Sequence, residues 1–142
     1  MKWIRCTQSG KTFYAILEDD RIIPVQGDPF KAYARRAEVL RLADVRIEVP
    51  VIPPTFYCVG LNYVTHIGAE GKNIPSQPDV GYRANNALLA HGQDVLMPAD
   101  AARVQYEGEL VVVIGKQARN LRPEDARSCI LGYTIGNDVS ER

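Results

Sequence analysis

Histidine and cysteine are scarce: the chain holds two histidines, His66 and His91, and three cysteines, Cys6, Cys58 and Cys129. Two imidazoles are too few for a zinc centre built on several histidines, so carboxylates have to carry any metal. Three thiols, odd in number and far apart, make neither a disulfide framework nor a Cys-x-x-Cys metal site. Each is expected to be a small buried apolar residue. Net charge is missing as well. Seventeen Lys and Arg balance seventeen Asp and Glu, so no global field draws the chain to nucleic acid or an anionic membrane. The longest apolar run, Leu110 to Ile114, falls far short of the roughly 20 residues that span a bilayer. The opening Met1-Lys2-Trp3-Ile4-Arg5-Cys6 lacks the apolar centre of a signal peptide. The expectation is a cytoplasmic protein with neither nucleic acid nor membrane as partner, and the chain has no internal repeat or low-complexity tract.

What is present is an ordinary globular composition, 46% apolar and 24% charged over 142 residues. A chain of this size hides roughly two thirds of its unfolded surface, and its length excludes a complete (β/α)8 barrel. Trp3 to Thr7, Thr12 to Leu17 and Arg21 to Val25 are rich in aromatic and β-branched residues and separated by polar turns, which predicts an antiparallel meander. Asp28 as N-cap, Pro29 at the first helical position, and Phe30, Tyr33, Ala37 and Leu40 at helical spacing predict a short amphipathic helix packed on it. Ile47, Val49 and Val51 alternate like an edge strand, and Ile52-Pro53-Pro54 makes a stiff connector. A domain boundary is therefore expected between residues 1–52 and 53–142.

Beyond it, Phe56 to Gly60 has the composition of a buried strand, and Asn62 is placed to cap a helical turn carrying Tyr63, His66, Ile67 and Glu70. The stretch from Gly68 to Gly81 has the composition of a long, lid-like loop. Strands are expected at Val80 to Arg83, at Asp94 to Met97 after a turn at His91-Gly92-Gln93, and at Tyr106 to Ile114. A helix opening at Pro123-Glu124-Asp125 and closing on Gly132, and a last strand from Tyr133 to Val139, complete the pattern. The fold class is α+β and mainly β.

Glu107 and Glu109 flank Gly108 at the start of the strongest strand, and strand alternation sends both carboxylates to one face. Two acids there repel unless a cation or protons compensate. A third, Asp138, stands near the end of another apolar strand, and three oxygen donors with room for water suit Mg²⁺ or Mn²⁺. The alternative is that the glutamates line a solvated strand end while Asp138 caps a turn. His66 is a candidate general base with Glu70 to orient it, four residues on along the same helical face; a surface histidine is the other reading. Arg83 is placed to clamp a substrate carboxylate or simply to face solvent. His91 belongs to its turn, and Ser140 has no histidine near it in sequence to make it a nucleophile.

Taken together, Gly60-Leu61-Asn62-Tyr63-x-x-His66-x-x-x-Glu70, Tyr106-Glu107-Gly108-Glu109 with its apolar strand, and Gly132-Tyr133-Thr134-x-Gly136-Asn137-Asp138-Val139-Ser140 resemble the fumarylacetoacetate hydrolase family. The resemblance covers essentially the whole chain, because a small β-rich unit precedes the catalytic domain of many members. It implies a rolled, mixed β-sheet catalytic domain in a homodimer, with a divalent cation, Mg²⁺ or Mn²⁺, held by Glu107, Glu109 and Asp138. It also implies His66 as the base that activates water, Glu70 as its acidic partner, Tyr63 and Arg83 at the substrate, and a lid over residues 67–81. Arg83 stands where many members have lysine. The expected activity is hydrolytic cleavage of a C–C bond in an acylpyruvate-like or fumarylacetoacetate-like β-dicarbonyl acid. Isomerisation or decarboxylation of an oxo acid uses the same parts. Members continue well past the Asn-Asp-Val-Ser motif, so a truncated, non-catalytic fragment that binds metal or serves assembly is the competing expectation.

Overall fold

The computed structural model describes residues 1–69, 71 and 73–141. The N-terminal meander is formed by β1 (Lys2–Gln8), β2 (Lys11–Glu18) and β3 (Arg21–Gly27). Ser9 at φ 48° and Gly10 at φ 77° make the tight β1–β2 turn. Short strands complete a six-stranded sheet. β4 (Tyr33–Arg35) and β5 (Leu40–Arg41) pair with β3, and β6 (Arg46–Ile47) pairs with β1. Both faces of the sheet are covered. Ile4, Cys6, Ala15 and Ile22 pack with Leu40, Leu42 and Ile47 on one side, while Ile16, Ile23 and Val25 pack with Trp3 and Tyr14 on the other.

The amphipathic helix expected from Asp28 to Leu40 does not form. Asp28 Oδ1 accepts the Phe30 N–H at 2.8 Å, and Asp28 N–H donates to the Ala32 carbonyl at 3.1 Å, closing a tight loop. The loop returns Tyr33 to pair with Gly27, and the Tyr33 ring stands edge-on to Trp3 at 4.7 Å. A local side-chain bond and one aromatic contact outweigh a periodicity whose Ala37 stays exposed. Gly27 makes the reversal possible: at φ +100°, a Cβ there would collide with the Ala32 carbonyl and meet Tyr33 Cα at 3.1 Å. Gly27→Ala is expected to lower stability by at least ~2 kcal/mol in urea unfolding. An unchanged midpoint would contradict this account of the loop.

The edge strand over Ile47, Val49 and Val51 is shorter than its alternation predicts. Past Ile47 no ladder continues, and the contacts with β1 include the Glu48 N–H on the Arg5 carbonyl at 2.9 Å and Arg5 Nη1 on the Val49 carbonyl at 3.2 Å. Pro50, Pro53 and Pro54 have no N–H to extend a ladder. Burial pushes the Cys6 thiol up to about 11, with the Glu48 charge adding to it. Cys6 and Cys129 are buried as expected, but Cys58 is only half-buried.

The rest of the chain is built of two-stranded ribbons. β7 (Phe56–Gly60) leads into α1 (Val64–Ala69), and β8 (Asp79–Arg83) returns antiparallel to β7. The expected lid is therefore narrower than residues 67–81, since a helix occupies its start and β8 its end. β9 (Val104–Gln105) precedes β10 (Gly108–Ile114), which pairs with β11 (Ile130–Asn137). β12 (Ser140–Glu141) turns away from that ribbon to pair with β9.

Three further expectations change here. No strand forms over residues 94–97, where Leu96 is 87% exposed and has no partner strand to cover it. β10 begins at Gly108 and not at Tyr106, because Glu107 N–H bonds the Asn137 side chain at 2.9 Å. The segment opening at Pro123 is a 3₁₀ helix that stops at Cys129, and Gly132 lies inside β11 instead of capping a helix. The Gly115 N–H donating to the Cys129 carbonyl at 2.7 Å pulls the chain into the β10–β11 ladder too early for another helical turn. Among the described residues, no helix is long and apolar enough to cross a membrane.

Candidate active site

The antiparallel register of β10 and β11 sets the three acids on one face. Glu109 is opposite Gly136, and Gly108 is opposite Asn137. The next step brings Glu107 beside Asp138, whose N–H donates to the Glu107 carbonyl at 2.9 Å. Directly opposed residues of an antiparallel pair point to the same side, so Glu107, Glu109 and Asp138 share a face. All three are half-buried, whereas Leu110, Val112 and Ile135 on the other face are exposed.

Each acid is then reached from another element. Leu61, in the left-handed region at φ 49°, turns the chain out of β7. Asn62 and Tyr63 follow it to the β10 strand end. Asn62 Nδ2 donates to Glu109 Oε2 at 2.8 Å, and the Tyr63 hydroxyl donates to the Gly108 carbonyl at 3.0 Å. The capping role expected of Asn62 does not fit the helix start, since α1 begins two residues later at Val64; its amide nitrogen instead donates to Glu109 across 47 residues of sequence. Sequence reasoning missed this contact; the only available signal was its place in the Gly-Leu-Asn-Tyr string. Tyr63 accordingly binds backbone between the two glutamates.

Arg83 ends β8 and meets Asp138 in a two-pronged pair, Nε to Oδ1 at 3.1 Å and Nη2 to Oδ2 at 2.8 Å. That hydrogen bonding and the charge of Asp138 raise the guanidinium above its usual range, with smaller contributions from Cys58 and Glu107. Arg83, expected at the substrate, is thus engaged with one of the expected metal ligands. His66 lies in α1, exposed, its helix anchored by Ile67, which is 2% exposed. Glu70 lies outside the described residues.

Two adjoining clefts run over this face. The smaller, about 190 Å³, is lined by Cys58, Asn62, His66, Arg83, Glu107 and Asp138 among others. The larger, about 510 Å³, takes in Tyr63 and Glu109 and shares Asn62, His66 and Glu107 with the first. Residues as far apart in sequence as Cys58 and Ser140 therefore line one surface, where the His66 imidazole shares the clefts with carboxylates. Among the described residues, no three His, Cys, Asp or Glu side chains stand close enough together to hold a metal ion. The acids share a face but do not meet at a point. As a donor set they are all oxygen, which fits a hard divalent cation and not a thiophilic one.

Residues 55–142 match the profile described as the fumarylacetoacetate (FAA) hydrolase C-terminal domain, and residues 1–50 match the Rv2993c-like N-terminal domain. The chain belongs to the fumarylacetoacetate hydrolase family. It is 42% identical over 101 residues to Protein Rv2993c of Mycobacterium tuberculosis, a match covering 71% of this chain and 38% of that protein. A human relative named oxaloacetate tautomerase FAHD2B, mitochondrial, is 32% identical over 123 residues, covering 82% of this chain and 39% of the relative. Among solved structures, a 5-carboxymethyl-2-hydroxymuconate delta-isomerase from Mycobacterium smegmatis superposes with a TM-score of 0.87 at 31% identity. That match covers 100% of this chain and 56% of the isomerase. The chain therefore spans well under half of these curated relatives and just over half of the solved one.

Proposed function

We propose that this chain carries the acid–base and cation-binding face of an enzyme that cleaves a C–C bond in small β-dicarbonyl oxo acids of the acylpyruvate type. The observation that supports this reading is the shared cleft, where His66 and Arg83 line the same space as Glu107 and Asp138. Glu107, Glu109 and Asp138 would hold Mg²⁺ or Mn²⁺, and Asn62 would orient Glu109. A bound cation supplies a Lewis acid that polarises the substrate carbonyl and favours its enolate. His66 accepts a proton from water at an imidazole nitrogen and later returns it to the leaving carbon. Tyr63 holds the backbone between the glutamates in place, and the loop between α1 and β8 excludes bulk water. Glu70 as the acidic partner of His66, a homodimer, and a division of the chain between residues 52 and 53 belong to the same reading.

A second reading has specific support. Two of the relatives named above are a tautomerase and an isomerase by name. On this chain His66 would then move a proton between carbon and oxygen of an oxo acid. One experiment separates the two. The chain is incubated with Mg²⁺ and a panel of acylpyruvates and oxaloacetate, with enol absorbance and release of pyruvate followed in parallel. Hydrolytic cleavage predicts Mg²⁺-dependent release of pyruvate and the matching carboxylic acid from the acylpyruvates, reduced about 10²–10⁴-fold in His66→Ala. Enol decay with no cleavage product selects the tautomerase reading. Neither signal would leave the chain a non-catalytic metal-binding or assembly fragment.

A further inference from the structure

We infer that Arg83 is a built-in competitor for the cation at Asp138, a fixed positive charge that weakens the affinity of this face for a divalent ion. The inference rests on the proposed assignment of Glu107, Glu109 and Asp138 as the ligands of that ion. Its ground is the two-pronged pair: both carboxylate oxygens of Asp138 are engaged by one guanidinium at 3.1 and 2.8 Å. Such a fork is directional as well as charged, so the aspartate is turned toward β8. The fold builds the pair in. Arg83 is opposite Phe56 and Gly81 is opposite Cys58 in the β7–β8 register, which puts the Arg83 and Cys58 side chains on one face of that ribbon.

The energetics favour exchange over permanence. The Arg83 and Asp138 side chains are 41% and 26% exposed, and ion pairs open to solvent contribute little net stability. A divalent ion with carboxylates on both neighbouring strands can therefore displace the guanidinium, but must work against its charge. Glu107 lines the same cleft as Arg83, so the arginine's charge bears on two of the three acids. Because arginine keeps its proton at any working pH, the opposition is constant and not pH-gated.

Mn²⁺ binding to the full chain, followed by the electron paramagnetic resonance of the free ion, tests the inference without reference to catalysis. Arg83→Gln is expected to bind roughly tenfold more tightly than the wild type, as loss of one nearby charge interaction with a divalent ion requires. Arg83→Lys, which keeps the charge, should stay within a few-fold of wild type. If the glutamine variant fails to fold, Arg83→Met removes the charge at nearly the same side-chain length. Tighter binding by the uncharged variant, including binding where the wild type shows none, supports the competitor role. Equal or weaker binding beside a wild type that does bind overturns it and leaves the ligand assignment standing. Absence of binding in every form at millimolar Mn²⁺ overturns the ligand assignment, and the inference with it.

Discussion

Glu109→Ala is expected to abolish the stabilisation of the chain by Mg²⁺. If Glu109 is a ligand, the wild type gains about 2.7 kcal/mol at a Mg²⁺ concentration 100 times the dissociation constant, seen as a rise in Tm. The variant should gain nothing at the same concentration and should lose turnover with it. In Mg²⁺-free buffer the order narrows or reverses. Glu109 shares its face with Glu107 and Asp138, so its removal relieves like-charge repulsion while losing the Asn62 hydrogen bond at 2.8 Å. These part-exposed effects should net to within about 1 kcal/mol. Asn62→Ala serves as the graded comparison. Removing the partner that orients a ligand typically weakens metal affinity by about 10–100-fold, so Asn62→Ala should retain a Mg²⁺ response shifted to higher concentration. A Glu109→Ala chain with the full wild-type rise in Tm would remove Glu109 from the site.

The second large effect belongs to the N-terminal sheet. Ile22 is 0% exposed and packs with Ile4, Cys6 and Ala15. Ile22→Ala leaves a cavity between strands tied by their ladders and should cost about 2–5 kcal/mol, a fall in Tm of roughly 5–20 °C. Trp3, the single tryptophan of the sequence, packs on the opposite face of the same sheet, so its fluorescence reports the unfolding directly. Ile135→Ala is the contrast. Ile135 is 87% exposed, and its truncation should stay within about 0.5 kcal/mol. Equal losses from the two substitutions would mean that Ile135 is covered in solution.

That contrast shows how unevenly burial is distributed. Beyond residue 53 the buried apolar residues among those described are Ile67, Ala90 and Cys129, whereas the meander buries Ile4, Cys6, Ala15, Ile16, Ile22, Ile23 and Val25. Where neighbouring strands supply the packing, sequence pattern and structure agree. The meander, β8 and the β10–β11 pair were legible because alternation, β-branched residues and turn signals pointed the same way; β7 forms where expected but is not the buried strand its composition predicts, with Tyr57 56% and Val59 44% exposed. The missing helix after Asp28 and the early end of the segment at Pro123 went the other way. In each, one hydrogen bond from a distant or reversing segment decided the local conformation, and periodicity carries no record of such a bond.

The candidate site divides along the same line. The sequence alone determined that Glu107 and Glu109 would share a face, because side chains alternate along any strand. It also placed His66 on a helical turn, and the order of its three motifs pointed to the family. Only the tertiary structure decided that Asp138 joins the glutamates, since that depends on the register of β10 against β11 across about thirty residues. The same is true of Asn62 holding Glu109 and of Arg83 facing Asp138 instead of open solvent. Parity within one strand is a property of the backbone and can be read from spacing. Which strand lies opposite, and which charge meets which, is set by the packing of separate ribbons, a global balance of contacts that no local stretch of sequence contains.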